Sequence, residues 1–323
     1  MSHIELKMEK LLKLFLSICC LSLFISCQEE DLKNKRKRAE KRYKEAVQSR
    51  QGSIPFQNGI IEAIAIDPTY EQAVYEISVA HLKRGMPHQW LPQYNKALAM
   101  DPKVRVPWRG YLYLWFYRDY KKAIADFNAS DTLTPNFTDA PQGHSVDFWR
   151  GIAYLGLKDH KNSIAYFDKH IQKETEETGE DWVEHEAFLY RGIAHYEIEK
   201  DKEYLSKIKE NKYELALKDF NTLLKYNSDF ADAKYYKALI LFDDCQSLQL
   251  RIGFEEQTRS NNTLAKILTA EKLDKQQKAL KIIKEAIDNF NNGYSNQRPY
   301  VETLRQLYWE DYTNLKAKLE SMH

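Results

Sequence analysis

The sequence predicts an all-α chain built from stacked helix-turn-helix repeats, and three observations carry that prediction. The stretch Ala63-Ile64-Ala65-Ile66-Asp67-Pro68 returns 34 residues later as Ala97-Leu98-Ala99-Met100-Asp101-Pro102, and Thr134-Pro135 follows after 33 more. A second motif keeps its own time: Trp108-Arg109-Gly110, Trp149-Arg150-Gly151 and Tyr190-Arg191-Gly192 stand 41 residues apart. The 11 Gly and 9 Pro gather at the joints between stretches of helical apolar period, and strand-like alternation is scarce. A fixed period of this kind marks a repeat architecture, in which each hairpin buries its apolar face only against its neighbours.

The first segment reads as a targeting signal. Lys7, Lys10 and Lys13 precede an apolar run from Leu14 to Ile25, long enough for a signal core but short of the roughly 20 residues that span a bilayer. The run ends at Phe24-Ile25-Ser26-Cys27, which resembles a bacterial lipobox, with Phe24 where Leu is usual. That resemblance implies a signal peptide over 1–26, lipid on Cys27, and a charged tether over 27–38. Gln28-Glu29-Glu30-Asp31 is similar to the acidic export signal of surface-exposed Bacteroidetes lipoproteins. It implies an outer-membrane address, facing either the periplasm or the outside. The basic run Lys33, Lys35, Arg36, Lys37, Arg38 lies beside the lipid, where it suits a tether or contact with headgroups.

Within the body, Arg38–Gln51 reads as a helix with Tyr43, Ala46 and Val47 on one face, paired with Phe56–Ile66 as a divergent first repeat. In the units that follow, Gly110 is succeeded by Tyr113, Tyr120, Ala123 and Phe127. Gly151 is succeeded by Ala153, Tyr154, Ser163, Phe167 and His170, and Gly192 by Ala194, His195, Tyr213, Ala216 and Phe220. This set resembles the tetratricopeptide repeat, a helix-turn-helix unit of about 34 residues. The resemblance implies a right-handed superhelical solenoid over 39–323, of about five repeats, closed by a C-terminal capping helix pair. Small residues such as Gly151 and Ala216 would let paired helices approach, with Tyr120, Phe127, Phe167 and Phe220 filling the space between them. Pro68, Pro102 and Pro135 would stop each second helix.

Departures from the period are local. Extra residues fall in 136–145, 169–181 and 197–212, between packing positions, and Ala238 resumes the small-residue place 46 after Gly192, where Asn227-Ser228 replaces Asp-Pro. A longer insertion is expected after Cys245, over 246–275. A helix carrying Ala279, Leu280, Ile283, Ala286, Ile287 and Phe290 comes next, then a turn at Asn291-Asn292-Gly293 and a last helix over Pro299–Leu319.

Little in the chain points to chemistry. His81 and His195 take the repeat position of Tyr113 and Tyr154, a packing site. His144, His160 and His170 have no carboxylate or cysteine at ligand spacing, and His185-Glu186 lacks the second His of a zinc-protease helix. The run Glu174, Glu176, Glu177, Glu180, Asp181, Glu184, Glu186 reads as a solvated face. No catalytic residue, metal ligand, cofactor site or small-molecule substrate site is expected. Lys and Arg number 48 against 47 Asp and Glu, which gives no support for nucleic acid as partner. With Cys19 and Cys20 in the signal and Cys27 lipidated, Cys245 has no intrachain partner.

By the same resemblance, the first helices of the repeats line a concave face, which assigns partner binding to Tyr111, Leu114, Trp115, Ile152, Leu155, Ile193 and Tyr196. Such a stripe suits an extended or helical peptide; the competing reading makes these residues helix–helix core. The functional expectation is a non-catalytic membrane-anchored adaptor for a protein or peptide. The alternatives are an immunity lipoprotein that neutralises a toxin and an accessory lipoprotein of nutrient or glycan uptake.

Overall fold

The computed structural model describes residues 30–201, 212–258, 263–299 and 301–322. Cys27 and the signal segment lie outside the described residues, as does part of the 197–212 insertion. Among the described residues the regular structure is helical, and the one β pairing is an isolated bridge between Arg298 and Val301. No described helix is long and apolar enough to cross a membrane. The chain forms two compact units, divided between Arg105 and Val106.

The first unit holds α1 (residues 30–46), α2 (Ile54–Ile66), α3 (Glu71–Lys83) and α4 (Pro87–Met100). Phe56, Ile60 and Ala63 of α2 pack with Ala46 and Ala73, flanked by Tyr43 and Tyr70. α1 and α2 lie so close that a Cβ on Gly59 would stand 2.5 Å from the Ala46 side chain. Residues 30–38, expected to act as tether, lie within α1. Arg36 there binds Asp67 at 2.5 Å and the Thr69 carbonyl at 2.9 Å. α2 and α4 stop at Ile66 and Met100, directly before Asp67-Pro68 and Asp101-Pro102, because proline can neither supply the next N–H nor tolerate the preceding turn.

The second unit consists of helical hairpins stacked in chain order. They are α5 (Pro102–Phe116, largely in this unit) with α6 (Tyr120–Leu133), α7 (Val146–Gly156) with α8 (His160–Glu177), α9 (His185–Asp201) with α10 (Glu214–Tyr226), and α11 (Ala231–Thr258) with α12 (Thr263–Asn291). α13 (Trp309–Glu320) packs on α12 through Tyr312, Leu315 and Leu319. Helix starts are capped by side-chain oxygens: Asp119 accepts from the Lys122 N–H, Ser145 from Phe148 and Asp159 from Asn162. Each cap satisfies a donor that the first helical turn leaves unpaired.

The repeat period is a packing period. A Cβ on Gly110 would stand 2.6 Å from the Phe127 ring, on Gly151 2.8 Å from Phe167, and on Gly192 2.7 Å from Phe220. Real Cβ contacts are not that short, so in each hairpin the missing side chain is what admits the ring. The arginine before each glycine is also used. Arg109 makes a two-pronged bond to Asp126 at 2.8 Å for both contacts. Arg191 grips Asp219 in its own hairpin and reaches back 2.8 Å to Asp168 in the hairpin before. In the middle hairpin the acid is replaced by Tyr166, over whose ring the Arg150 guanidinium sits at 5.3 Å. That guanidinium turns to Asp147 at 2.6 Å, Asn128 at 3.1 Å, the Phe127 carbonyl and Asp131.

Two expectations about the C-terminal part are corrected. The stretch inserted after Cys245 is helical where it is described: it lengthens α11 to 28 and α12 to 29 residues, so α12 starts at Thr263 and not after Lys275. Leu248, Ile252 and Leu268 form a small core of their own between the two lengthened helices. The last helix starts at Trp309, not Pro299. The Asp311 carboxylate accepts from the Tyr308 backbone N–H at 2.8 Å and sets that start. Gly293, at φ +83°, closes α12 with the Tyr294 N–H on the Asn289 carbonyl and its own N–H on Phe290, a left-handed cap that a Cβ would strain. Residues 294–299 and 301–308 then run as non-helical chain.

Candidate functional site

The seven residues expected to line an open binding face are all covered. Tyr111, Leu114, Trp115, Ile152, Leu155, Ile193 and Tyr196 are between 0 and 8 % exposed. Leu114, Ile152, Leu155 and Ile193 are core, as helices packed against neighbours on more than one side must bury more than one row each. Tyr196 donates to the Asp243 carboxylate at 2.8 Å, which also accepts from Tyr213 at 3.2 Å and Lys200 at 2.5 Å. Tyr111 and Trp115 are different, because the chain's own segment 294–308 reaches them.

That segment is held along the first helices of successive hairpins. At its start Asn296 gives its backbone N–H to Asp232 at 2.9 Å and its side-chain amide to the Tyr190 hydroxyl at 2.9 Å. The Arg298 guanidinium then lies 5.5 Å from the ring centres of both Trp115 and Trp149, which meet edge to face with centroids 6.0 Å apart. Burial raises the Tyr111 hydroxyl above its ordinary range, and the neighbouring Arg298 partly offsets this. Arg118 donates to the Glu302 carbonyl. At the far end Arg305 makes a two-pronged pair with Glu197 at 2.6 and 2.9 Å. His160 approaches the same carboxylate at 2.9 Å. Burial works against the Glu197 charge, but the hydrogen bonds and positive charge of Arg305 outweigh it and hold the carboxyl below its ordinary range. Leu304 and Leu307 are buried beneath the segment's polar contacts.

Of the aromatic part of this site, Tyr111 and Trp115 were named from the sequence, while Trp149 stood there only as part of the second Trp-Arg-Gly motif. Glu197, Arg118, Asp232 and the segment itself carried no local signal. Arg305 and Glu197 are 108 positions apart.

The histidines also depart from expectation, since tertiary folding supplies the carboxylates that local spacing lacks. Glu184 leaves the acidic run and bridges His144 at 3.0 Å and His170 at 2.7 Å, and the other nitrogen of His170 meets Ser145 Oγ at 2.9 Å. Burial favours the neutral Glu184 acid, yet hydrogen bonds from the two imidazoles prevail and hold its carboxyl well below the ordinary range. The order Ser, His, Glu matches a hydrolase triad in composition, but a nucleophile must be free to meet a substrate. Ser145 Oγ is occupied as the cap of α7, and His170 is 2 % exposed under Phe148. The set bridges α7, α8 and the turn before α9. Among the described residues no group of three or more His, Cys, Asp or Glu side chains is placed to hold a metal ion. Burial pushes the Cys245 thiol up to about 11, which keeps it a thiol and a poor nucleophile at neutral pH.

Residues 205–244 match the tetratricopeptide repeat family. No curated protein matches the chain. A tetratricopeptide repeat protein from Parabacteroides merdae is 14% identical at a TM-score of 0.47, over 89% of this chain and all of that one (100%). PilF of Pseudomonas aeruginosa is 15% identical at 0.45, over 75% and 98%. YrrB, a tetratricopeptide repeat protein described as having an unusual peptide-binding site, is 17% identical at 0.41, over 72% and 93%. The match at 205–244 falls across α10 and the first half of α11, and the glycine-to-phenylalanine contact is shared by the three hairpins α5–α6, α7–α8 and α9–α10.

Proposed function

We propose that the protein is a non-catalytic adaptor, anchored to the outer membrane through lipid on Cys27, whose second unit binds a protein or peptide partner. The observation that carries the reading is the face made by the first helices of the hairpins. It offers paired indoles, a tyrosine hydroxyl and a carboxylate, and extended chain already lies along it. A helical stack with a tetratricopeptide repeat suits this role, because rigid hairpins present a long surface without reorganising when a partner docks. The buried aromatic groups suit it too, as such groups anchor interfaces at low ordering cost.

The test is photo-crosslinking of the tagged full chain in its native envelope, with the crosslinker placed along α5, α7 or α9. A discrete protein crosslinked from these helices is expected. Absence of any partner from all three positions would end the adaptor reading. The anchor is tested separately: Cys27→Ser protein should leave the outer-membrane fraction on washing without detergent, and its retention there would rule out the lipid.

A further inference from the structure

We infer that the groove holding residues 294–308 is a binding site for an extended segment of a partner protein that carries two arginines seven residues apart, and that residues 294–308 occupy it in cis as a displaceable stand-in. The inference rests on the adaptor reading and names the partner's chemistry.

The chain's own segment shows which groups the groove recognises. One arginine, Arg298, stands over two indole faces, where the negative ring faces attract a cation. The second, Arg305, is taken by Glu197 in the two-pronged geometry that selects guanidinium over ammonium. Between them Arg118 fixes a main-chain carbonyl, at Glu302, and before them Asp232 fixes a main-chain N–H, at Asn296. Main-chain contacts are blind to sequence, so specificity falls on the two arginine sites.

Three features make the stand-in replaceable. The indole N–H of Trp115, 2 % exposed, finds no acceptor among the described residues, so the segment leaves one buried donor unmet. Arg305 holds a left-handed backbone at φ 55°, a conformation that a side chain disfavours. The segment also lies between the Gly293 cap and the start of α13, and apart from the Arg298–Val301 bridge its described residues form no regular secondary structure that its departure would break. A partner segment that meets the Trp115 N–H and keeps both arginines in relaxed backbone would compete with it directly.

The experiment uses the purified full chain and a fluorescein-labelled synthetic peptide of residues 294–308, read by anisotropy. A chain carrying R298A/R305A should bind the peptide about tenfold more tightly than the wild type, because emptying the groove raises its competent fraction. Adding E197A to that chain, or replacing both arginines of the peptide by alanine, should abolish the gain. Equal binding to both chains, with helical circular dichroism intact, would overturn the inference. If the double variant loses its helical signal, Arg305→Gln alone is measured, with the same two outcomes. If the loosened chain instead forms dimers that the peptide does not dissociate, the occupant is a second copy's segment and the partner-segment inference falls. A partner crosslinked from the envelope that excess peptide fails to displace would also refute it, while leaving the adaptor reading standing.

Discussion

The ring of Phe167 fills the space that a side chain on Gly151 would need, the would-be Cβ standing 2.8 Å from two of its carbons. The same relationship recurs one hairpin earlier and one later, so the contact is a unit of construction for this stack. Its energetics can be separated, because replacing the glycine gains helix propensity and loses space at once.

Gly151→Ala should destabilise the protein. Overpacking costs about 1–3 kcal/mol, against a gain of about 1 kcal/mol for alanine over glycine inside a helix. Phe167→Ala should cost about 3–5 kcal/mol through the cavity it leaves. In the Phe167→Ala background Gly151→Ala should turn neutral or stabilising. Urea unfolding of the four proteins measures the coupling, and strict additivity would show that the two residues do not share the space.

Arg150, 1 % exposed, offsets the buried Asp147 and also binds Asn128, Asp131 and the Phe127 carbonyl. Without it the buried Asp147 keeps only the exposed Lys169, 2.9 Å away, as counter-charge, and breaking a buried pair by removing one partner is costly. Arg150→Ala should therefore lower stability by about 3–5 kcal/mol, and Arg150→Lys should recover only part of it because an ammonium cannot reach as many acceptors. The comparison with Arg36→Ala is informative: Arg36 is more exposed, and its loss should cost about 1 kcal/mol or less. Similar losses at both positions, read by thermal melting, would argue against the burial account.

Asp232 is placed to make the protein less stable as pH rises. Burial lifts its carboxyl to about 6 from an ordinary 3.8, in spite of the Asn296 N–H it accepts. With the folded-state value raised, the group is protonated in both states below about pH 4, and its ionisation then penalises the folded form until about pH 6 is passed. Asp232→Asn keeps an acceptor for Asn296 and removes the charge. It should match the wild type near pH 4 and exceed it at pH 8 by on the order of 2–3 kcal/mol, measured by denaturant unfolding at the two pH values. A variant less stable than wild type at pH 8 would show that the charge itself is needed.

Glu184 carries the opposite sign. Its folded-state value is depressed, so it adds stability above the ordinary carboxylate range, and that contribution is lost as pH falls through the acid region. Glu184→Gln should cost about 1.5–3 kcal/mol at pH 7, the worth of hydrogen bonds to a charged group, and the gap to the wild type should narrow steadily on acidification. A gap that stays constant down to pH 3 would assign the loss to packing instead.

The hairpin stack was legible because its determinants recur at fixed spacing. Gly110, Gly151 and Gly192 predict their partners Phe127, Phe167 and Phe220, and Asp-Pro or Thr-Pro marks where the second helices of three hairpins stop. The exposure of the seven face residues was not legible, since an apolar residue on a first helix serves equally as groove or as core. The alternative of core holds for Leu114, Ile152, Leu155 and Ile193. Residues 299–308 also misled: Val301, Leu304 and Leu307 suit a helical face, yet Arg305 and Asn296 are used by Glu197, Asp232 and Tyr190 far back in the chain. Local propensity is worth tenths of a kcal/mol per residue, and a bidentate ion pair on buried ground exceeds it.

Sequence alone determined the class of the fold, the repeat frame and the residues that lock each hairpin, because these are short-range consequences of period, missing side chains and proline stops. Only the tertiary structure decided what lies on the face those hairpins share. Which segment covers Trp115 and Trp149, and which carboxylate meets Arg305, depends on charges and rings that meet across long stretches of chain, and no local pattern records such meetings.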